Sequence, residues 1–365
     1  MASESKVSQF DREMMVRCIE LAQRAAGKTG SNPLVGSVIV KDGEIIGEGF
    51  HPSFGQPHAE VFALQDAGEQ AKGATIYVNL EPCNHYGKTP PCSEALIKAQ
   101  VSKVVTGMVD PDPRVAGTGI KKLQDAEIEV IVGVEEAACK QLNEVFVHRI
   151  LHQQSFGLLK YAMTLDGKIA ATTGHSAWVT GKTSRHLVHQ VRSTCDAVII
   201  GGNTVRQDNP NLTTHGVTEH NPLRVVMSRS LDLPNDCNLW QTDVAATLVF
   251  TEINSNPTLQ KELAKKNVEV IEVEKLSPKI VMEHLYQRDL SKILWECGGT
   301  LAAKAIADGT IQKVMAFIAP KIIGGVSAPS PVGDLGLKTM TDALQLQQIT
   351  TQIIDEDILI EGYLS

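Results

Sequence analysis

One histidine and two cysteines, His58, Cys83 and Cys92, constrain this chain most tightly, because a fold that uses them together must bring the stretch between them back on itself. His58 opens a helical pattern reaching Ala71, Ala74 to Leu80 reads as a buried strand, and Cys92 begins a second helix running to Ala99. An imidazole and two thiolates are a three-ligand set suited to Zn²⁺, with the fourth tetrahedral position open to water. A structural zinc needs a fourth protein ligand, and no third cysteine follows at short spacing. Taken singly, His58 also reads as a core histidine and each cysteine as a buried apolar residue. Their joint occurrence favours a metal site, with Glu60 two residues past His58 and Pro82 directly before Cys83.

Around this core the pattern alternates. A helix carrying Met14, Met15, Cys18, Leu21, Ala22 and Ala25 stops at Gly27. Val35 to Val40 and Glu44 to Phe50 are strands joined by Asp42-Gly43, a hairpin signal. Further on come a strand at Lys103 to Val109, a helix after Gly119, a strand at Ile128 to Val134 and one helix from Glu135 to about Arg149. This predicts an α/β unit with a mixed sheet and helices on both faces. A second α/β unit starts near Ser155, with strands at Leu158 to Met163, Asp196 to Ile200, Leu223 to Met227, Thr247 to Thr251, Lys292 to Glu296, Val314 to Ile318 and Ile358 to Tyr363. Its helices are read at Thr183 to Arg192 and from Gly298-Gly299 to about Asp308, and a Gly-, Ser- and Pro-rich loop spans Gly324 to Gly333. No repeat or Pro-rich linker interrupts the 365 residues, so the expected domains are 1–150 and 151–365.

Composition excludes several classes. Hydrophobic residues at 42% and charged residues at 21% argue against disorder. The balance of 34 Lys and Arg against 42 Asp and Glu, net −8, argues against a general nucleic-acid binder but leaves room for one basic phosphate pocket. No apolar run approaches the ~20 residues that span a bilayer, and the first residues lack the apolar core of a secretory signal. Seven cysteines, an odd number, fit reduced thiols better than a disulfide framework. The expectation is a cytoplasmic protein with neither nucleic-acid nor membrane partners.

Glu60 is placed to carry protons between water, a ring nitrogen and a departing amine rather than to bind metal. The whole is the H-x-E, P-C, C pattern of zinc nucleobase and nucleotide deaminases. Those enzymes typically carry P-C-x-x-C, whereas eight residues, Asn84 to Pro91, separate Cys83 from Cys92 here. That insert holds one cation, Lys88, which suits a phosphorylated substrate, and His85, which reads equally as a phosphate contact or a solvated loop residue.

The motifs Asn32-Pro33-Leu34-Val35-Gly36, Gly49-Phe50-His51, Pro57-His58-Ala59-Glu60-Val61, Leu80-Glu81-Pro82-Cys83 and the TPPC ending at Cys92 belong together. Over essentially its whole length the chain resembles the bifunctional riboflavin-biosynthesis deaminase/reductase family. The resemblance implies an N-terminal cytidine-deaminase-like domain and a C-terminal domain like dihydrofolate reductase. It implies one zinc per chain on His58, Cys83 and Cys92, with Glu60 as proton shuttle. It also implies a pyrimidine and phosphate pocket lined by Asn32, His51, Lys88 and Asp110, although Asn32 and His51 also read as plain turn residues.

The second unit is less explicit. Gly298-Gly299-Thr300 and Gly201-Gly202-Asn203-Thr204 each follow a strand, a place where backbone N–H groups attract phosphate. Neither matches G-x-G-x-x-G, and a Gly-Gly after a strand also reads as a turn. The stretch Lys160 to Lys168 resembles the family's first reductase strand and turn, and the segments from Ser176 to Thr180 and from Asp196 to Pro210 fit as well. By resemblance, Ala162, Trp178, Thr204, Asp208 and the segment Gly298, Gly299, Thr300, Leu301, Ala302, Ala303 and Lys304 contact NADPH. Ser176, Arg192, Leu212 and Glu296 contact the substrate, with Arg192 a partner for its phosphate. Read alone, Trp178 is a core aromatic and Arg192 part of a solvated helix face. Where family members read L-T-V-R, this chain reads Leu212-Thr213-Thr214-His215. His215 takes the place of a fixed charge, which leaves Arg206 or Arg224 to supply it.

The expected activities are hydrolytic deamination of 2,5-diamino-6-ribosylamino-4-pyrimidinone 5′-phosphate, then NADPH-dependent reduction of the ribosyl to a ribityl group. A homo-oligomer is implied by the same resemblance. The rivals are a deaminase of bases in RNA, and a non-catalytic module whose zinc only stabilises the fold. The first is opposed by the acidic charge and by the lack of a basic, aromatic-rich stretch.

Overall fold

Asp42 and Gly43 both take left-handed backbone angles, φ +52° and +84°, as a two-residue hairpin turn between twisted strands requires. They join β1 (Gly36–Lys41) to β2 (Glu44–Phe50) in the computed structural model, which describes residues 7–86 and 90–364. The chain divides into two compact units, one ending at Gln153 and the other beginning at Gln154.

In the first unit β1 also pairs with β3 (Thr75–Val78), and β4 (Lys103–Thr106) and β5 (Glu129–Val132) extend the sheet in parallel, giving the order β2-β1-β3-β4-β5. It is the mixed sheet read from the sequence. Alternation along β1 sends Val38 and Val40 to a core shared with α1 (Gln9–Gln23) and α5 (Glu136–Leu142), and Ile39 to a core shared with α2 (Ala59–Ala67), α3 (Cys92–Lys98) and α4 (Thr118–Asp125). Gly49 lets α2 lie directly on β2, since a Cβ there would stand 2.4 Å from the Ala59 carbonyl oxygen. That contact fixes the first turn of α2, where His58 and Glu60 sit. The single helix expected from Glu135 to Arg149 is two, α5 and α6 (Glu144–His152). They part at the buried Asn143, whose side chain accepts from Leu34 N and donates to Leu34 O.

Among the described residues the second unit is built on nine strands. In chain order they are β6 (Phe156–Thr164), β7 (Ala197–Gly201), β8 (Leu223–Met227), β9 (Thr247–Glu252), β10 (Glu269–Val273), β11 (Lys292–Trp295), β12 (Lys313–Ala319), β13 (Leu346–Ile354) and β14 (Asp357–Leu364). Their spatial order is β10-β9-β8-β7-β11-β6-β12-β14-β13, parallel from β10 through β12 and antiparallel beyond. Helices α7 (Lys182–Ser193) and α9 (Pro257–Lys265) pack on one face, α10 (Pro278–Gln287) and α11 (Gly299–Ala307) on the other, and α8 (Gly202–Asp208) follows β7 directly. Strand order reverses between β7 and β11, and ligands of open α/β sheets bind at the carboxyl ends beside such a switch. Among the described residues no helix is long and apolar enough to cross a membrane.

Candidate functional site

His58 caps the N-terminus of α2, Cys92 is the first residue of α3, and Cys83 lies in the loop after β3. The fold brings the three together: His58 Nδ1 is 3.5 Å from Cys83 Sγ and 3.3 Å from Cys92 Sγ, and all three ligand atoms lie within 4.8 Å of one another. Tetrahedral zinc with ordinary Zn–N and Zn–S bonds separates such atoms by about 3.6 Å, so the donor set fits the metal. The Cys92 amide donates to Cys83 Sγ at 3.3 Å, and the Ser93 amide donates to the Cys83 carbonyl, tying the loop to the start of α3. Hydrogen bonding with Cys92 draws the Cys83 thiol down, while the bond with Cys83 and then burial push Cys92 up. One thiolate is stable in that pair without a cation, and a divalent metal accommodates two.

Glu60, in the first turn of α2, is 3% exposed, and its Oε2 has no hydrogen-bond partner. Burial, then the charge of Cys83, raises its carboxyl to about 7. A buried carboxyl with a vacant oxygen beside a metal-binding cluster is poised to accept and return a proton. His51 packs edge-on to His58 at 5.6 Å between centroids. Its Nδ1 faces the Pro57 carbonyl at 3.0 Å and its Nε2 faces Asn32 Nδ2 at 3.2 Å, so Nδ1 carries the proton and Asn32 donates to Nε2. Burial lowers the imidazole's pKa and keeps it neutral. Asp110 lies on the loop between β4 and α4. Glu81, buried between β3 and Cys83, accepts the amides of Asp110 and Gly117 on one oxygen and those of Gly119 and Ile120 on the other, at 2.9–3.2 Å. Its charge thereby also meets the N-terminal amides of α4. Burial raises the pKa of the Asp110 carboxyl. Exposed His85 stands close enough to Asp110 and Asp112 to act on their charge. Lys88 lies outside the described residues.

In the second unit a cleft of about 1410 Å³ opens along the carboxyl ends of β6, β7, β8 and β11. It exceeds the roughly 300–1,000 Å³ of a single-ligand pocket, so it has room for a cofactor and a substrate. Ala162, Ser176, Trp178, Arg192, Thr204, Asp208, Leu212, His215, Glu296, Gly298, Gly299, Thr300, Leu301 and Lys304 all line it. Ala302 and Ala303 do not: both are buried on the inner side of α11. Trp178 is no core aromatic. It is 68% exposed at φ +64°, with the Arg185 guanidinium 4.2 Å from its ring centre. Ser176 Oγ donates to Asp208 at 3.0 Å.

Arg192, expected on a solvated helix face or on phosphate, is buried and bidentate to Glu296, and also donates to the Thr213 carbonyl. Arg224 cannot supply a phosphate charge. It is fully buried and donates to the carbonyls of Asn211, Asn238, Leu239, Gln241 and Ala245. Arg206 lines the cleft and pairs with Asp232. The group that sequence reasoning missed is Lys160. It is half-buried in the cleft wall with Nζ 3.8 Å from Glu296, and desolvation lowers its pKa while Glu296 works the other way. The available signal was a cation in the apolar strand β6. Burial acts to raise the Glu296 pKa, but Arg192 and Lys160 outweigh it and keep the carboxylate ionised.

Two family models match the chain, one in each unit. Residues 8–108 match the family described as "Cytidine and deoxycytidylate deaminase zinc-binding region", and residues 155–360 match "RibD C-terminal domain". The chain is 62% identical over 354 residues to the riboflavin biosynthesis protein RibD of Synechocystis, covering 97% of this chain and 96% of that one. Among solved structures it is similar to Acinetobacter baumannii RibD (38% identity, TM-score 0.86, covering 98% and 99% of the two chains). It is equally similar in fold to the diaminohydroxyphosphoribosylaminopyrimidine deaminase/5-amino-6-(5-phosphoribosylamino)uracil reductase of Thermotoga maritima (36%, TM-score 0.86, 98% and 99%). The chain belongs to the RibD family of riboflavin biosynthesis, a zinc-binding cytidine-deaminase-type domain joined to a reductase domain.

Proposed function

We propose that the first unit removes the 2-amino group of 2,5-diamino-6-ribosylamino-4-pyrimidinone 5′-phosphate by hydrolysis, and that the second reduces the ribosyl group of the product with NADPH. The convergence of His58, Cys83 and Cys92 beside the buried, half-unpartnered Glu60 supports the first step. A zinc ion held by the three residues would supply an acidified water. Glu60 takes one proton from the water and passes it to the ring nitrogen as the oxygen bonds to C2. It then takes the second proton, from the C2 hydroxyl, and delivers it to the amine, which leaves as ammonia as the C–N bond breaks and the C2 carbonyl forms. Neutral His51, with Asn32 behind it, and Asp110 on its Glu81-held loop are the proposed pyrimidine contacts, and Lys88 a phosphate contact.

In the second unit NADPH supplies a hydride. The proposed cofactor contacts are Ala162, Trp178, Thr204, Asp208 and the start of α11, with Ser176, Leu212, His215 and Glu296 toward the substrate. For the ribosylamine to be reduced, its C1′–O4′ bond must open, O4′ must gain a proton and C1′ a hydride. Lys160, held by Glu296, is the proton source this reading assigns, and Arg192 keeps Glu296 in place.

A homo-oligomer and a cytoplasmic setting belong to the same proposal. The oligomer is supported by β13, an edge strand exposed along nearly its whole length, with Ile349 and Ile353 58% and 78% exposed.

A coupled assay on zinc-loaded protein tests the function. Ammonia should appear from the diaminopyrimidine ribotide without NADPH, and NADPH oxidation should require prior deamination. Zinc-loaded protein that yields neither signal overturns the substrate assignment.

A further inference from the structure

Three successive backbone carbonyls in the lining of the second unit's cleft are held by cations. Lys321 Nζ donates to the carbonyls of Trp178 and Val179, each at 2.8 Å, and the Arg185 guanidinium donates to that of Thr180 at 2.6 Å. The chain is fastened again directly afterwards. There the buried Asp357 carboxylate accepts from Gly181 N at 2.8 Å and from Ser184 Oγ at 2.6 Å.

Lys321 stands just past the end of β12, and its own backbone is fixed. Its carbonyl accepts from Leu165 N at 2.8 Å, and the amides of Ile323 and Gly324 both donate to Asp166. The ammonium is thus carried on a post tied to the turn after β6. An exposed lysine committed to two main-chain carbonyls has given up side-chain freedom that a merely solubilising lysine keeps.

What it holds is Trp178. That residue sits at φ +64°, a left-handed conformation that a bulky side chain adopts only where its surroundings impose it. The indole is 68% exposed and lines the cleft, with Arg185 4.2 Å from its ring centre. A ring so exposed takes its position from the main chain beneath it, and both bonds from Lys321 are made to that main chain.

We propose that Lys321 is a positioning residue of the reductase. By fastening the Trp178 and Val179 carbonyls it holds the indole in advance as a fixed wall for the nicotinamide cofactor. The proposal rests on the cofactor reading above, in which Trp178 is a contact. Lys321 is not among the residues that line the cleft, so it acts through Trp178. Ordering the wall before the ligand arrives removes that cost from binding.

The three tryptophans make the test optical. Acrylamide reaches exposed Trp178 but not buried Trp240 and Trp295, so the quenchable emission reports Trp178. In full-length Lys321→Met the anisotropy of that emission should gain a larger fast component. The dissociation constant for NADPH, by isothermal titration, should rise about threefold to tenfold. Lys321→Arg, which offers two donors to the same carbonyls, should restore both. The emission that acrylamide leaves should match wild type, which shows the variant to be folded. Where it does not, Lys321→Gln, with a shorter donor, takes its place under the same criteria. An indole no more mobile than in wild type overturns the proposal, even if NADPH binds more weakly, because the lost charge then acts on the cofactor directly. A looser indole with unchanged NADPH affinity, while Trp178→Ala weakens binding, overturns the positioning role alone. Unchanged affinity in Trp178→Ala overturns the cofactor contact itself, and the proposal with it.

Discussion

The imidazoles of His189 and His215 stack with ring centroids 4.1 Å apart and planes 19° from parallel. His189 projects from α7, and His215, at φ +50°, from the loop that Arg192 fastens through Thr213. Two stacked imidazoles beside Arg192 cannot readily both be cations. Burial first, then His215 and Arg192, push His189 down to about 4, with Glu296 acting in the opposite sense and His186 adding to the depression. His215 is lowered too, by burial and then Arg192.

A pH dependence of stability follows. His189 stays neutral in the fold, while the unfolded chain protonates it near pH 6.5. The unfolded state therefore binds more protons below that value, and the fold loses stability as pH drops from about 6.5 toward about 4. His189→Gln should flatten this slope, by about 1 kcal/mol after allowance for the ring's partial exposure. Urea denaturation at neutral and mildly acid pH measures it. Equal slopes in wild type and variant would remove His189 as the source.

Glu60→Gln keeps shape but cannot shuttle protons. Deaminase turnover should fall by about 10²–10⁴-fold. Zinc content by elemental analysis should stay at one per chain, and reduction of the already deaminated substrate should be untouched. Full ammonia release from the variant would end the assignment of Glu60.

Lys160→Met fills the same space without a proton. NADPH oxidation with the deaminated substrate should drop at least about a hundredfold. Ammonia release and the affinity for adenosine 2′,5′-bisphosphate should not change. Retained reductase turnover would show that the proton reaching O4′ has another origin.

Ile349→Lys combined with Ile353→Lys places two charges on the exposed β13 edge. Sedimentation velocity should show a shift to a smaller species, with the melting temperature of each unit little altered because neither side chain is buried. An unchanged sedimentation coefficient excludes β13 as the contact.

Much of the fold was legible because its determinants are local. The Asp42-Gly43 turn and the apolar runs of β1, β3, β7 and β8 each carry their own signal. The missed strands are those whose sequence reflects an edge position. In β10, Glu269 and Glu272 interrupt the apolar run on the last strand of the sheet, and β13 carries Gln and Thr on its exposed positions. The break at Asn143 was invisible because its cause, the Leu34 backbone, is remote in sequence. The metal cluster was readable as a spacing, since zinc chemistry restricts which residues can serve. Lys160 was not readable as a functional group: a lysine in a strand means little until Glu296 is seen beside it.

The metal cluster draws all its ligands from residues 58–92, and the large cleft draws its lining from residues 160–329. Among the described residues each constellation draws its side chains from its own unit. The two chemistries are therefore separable in heredity: a lesion that empties one site leaves the other intact. Two damaged copies, each spoiled in a different half, could jointly sustain the route that neither completes alone.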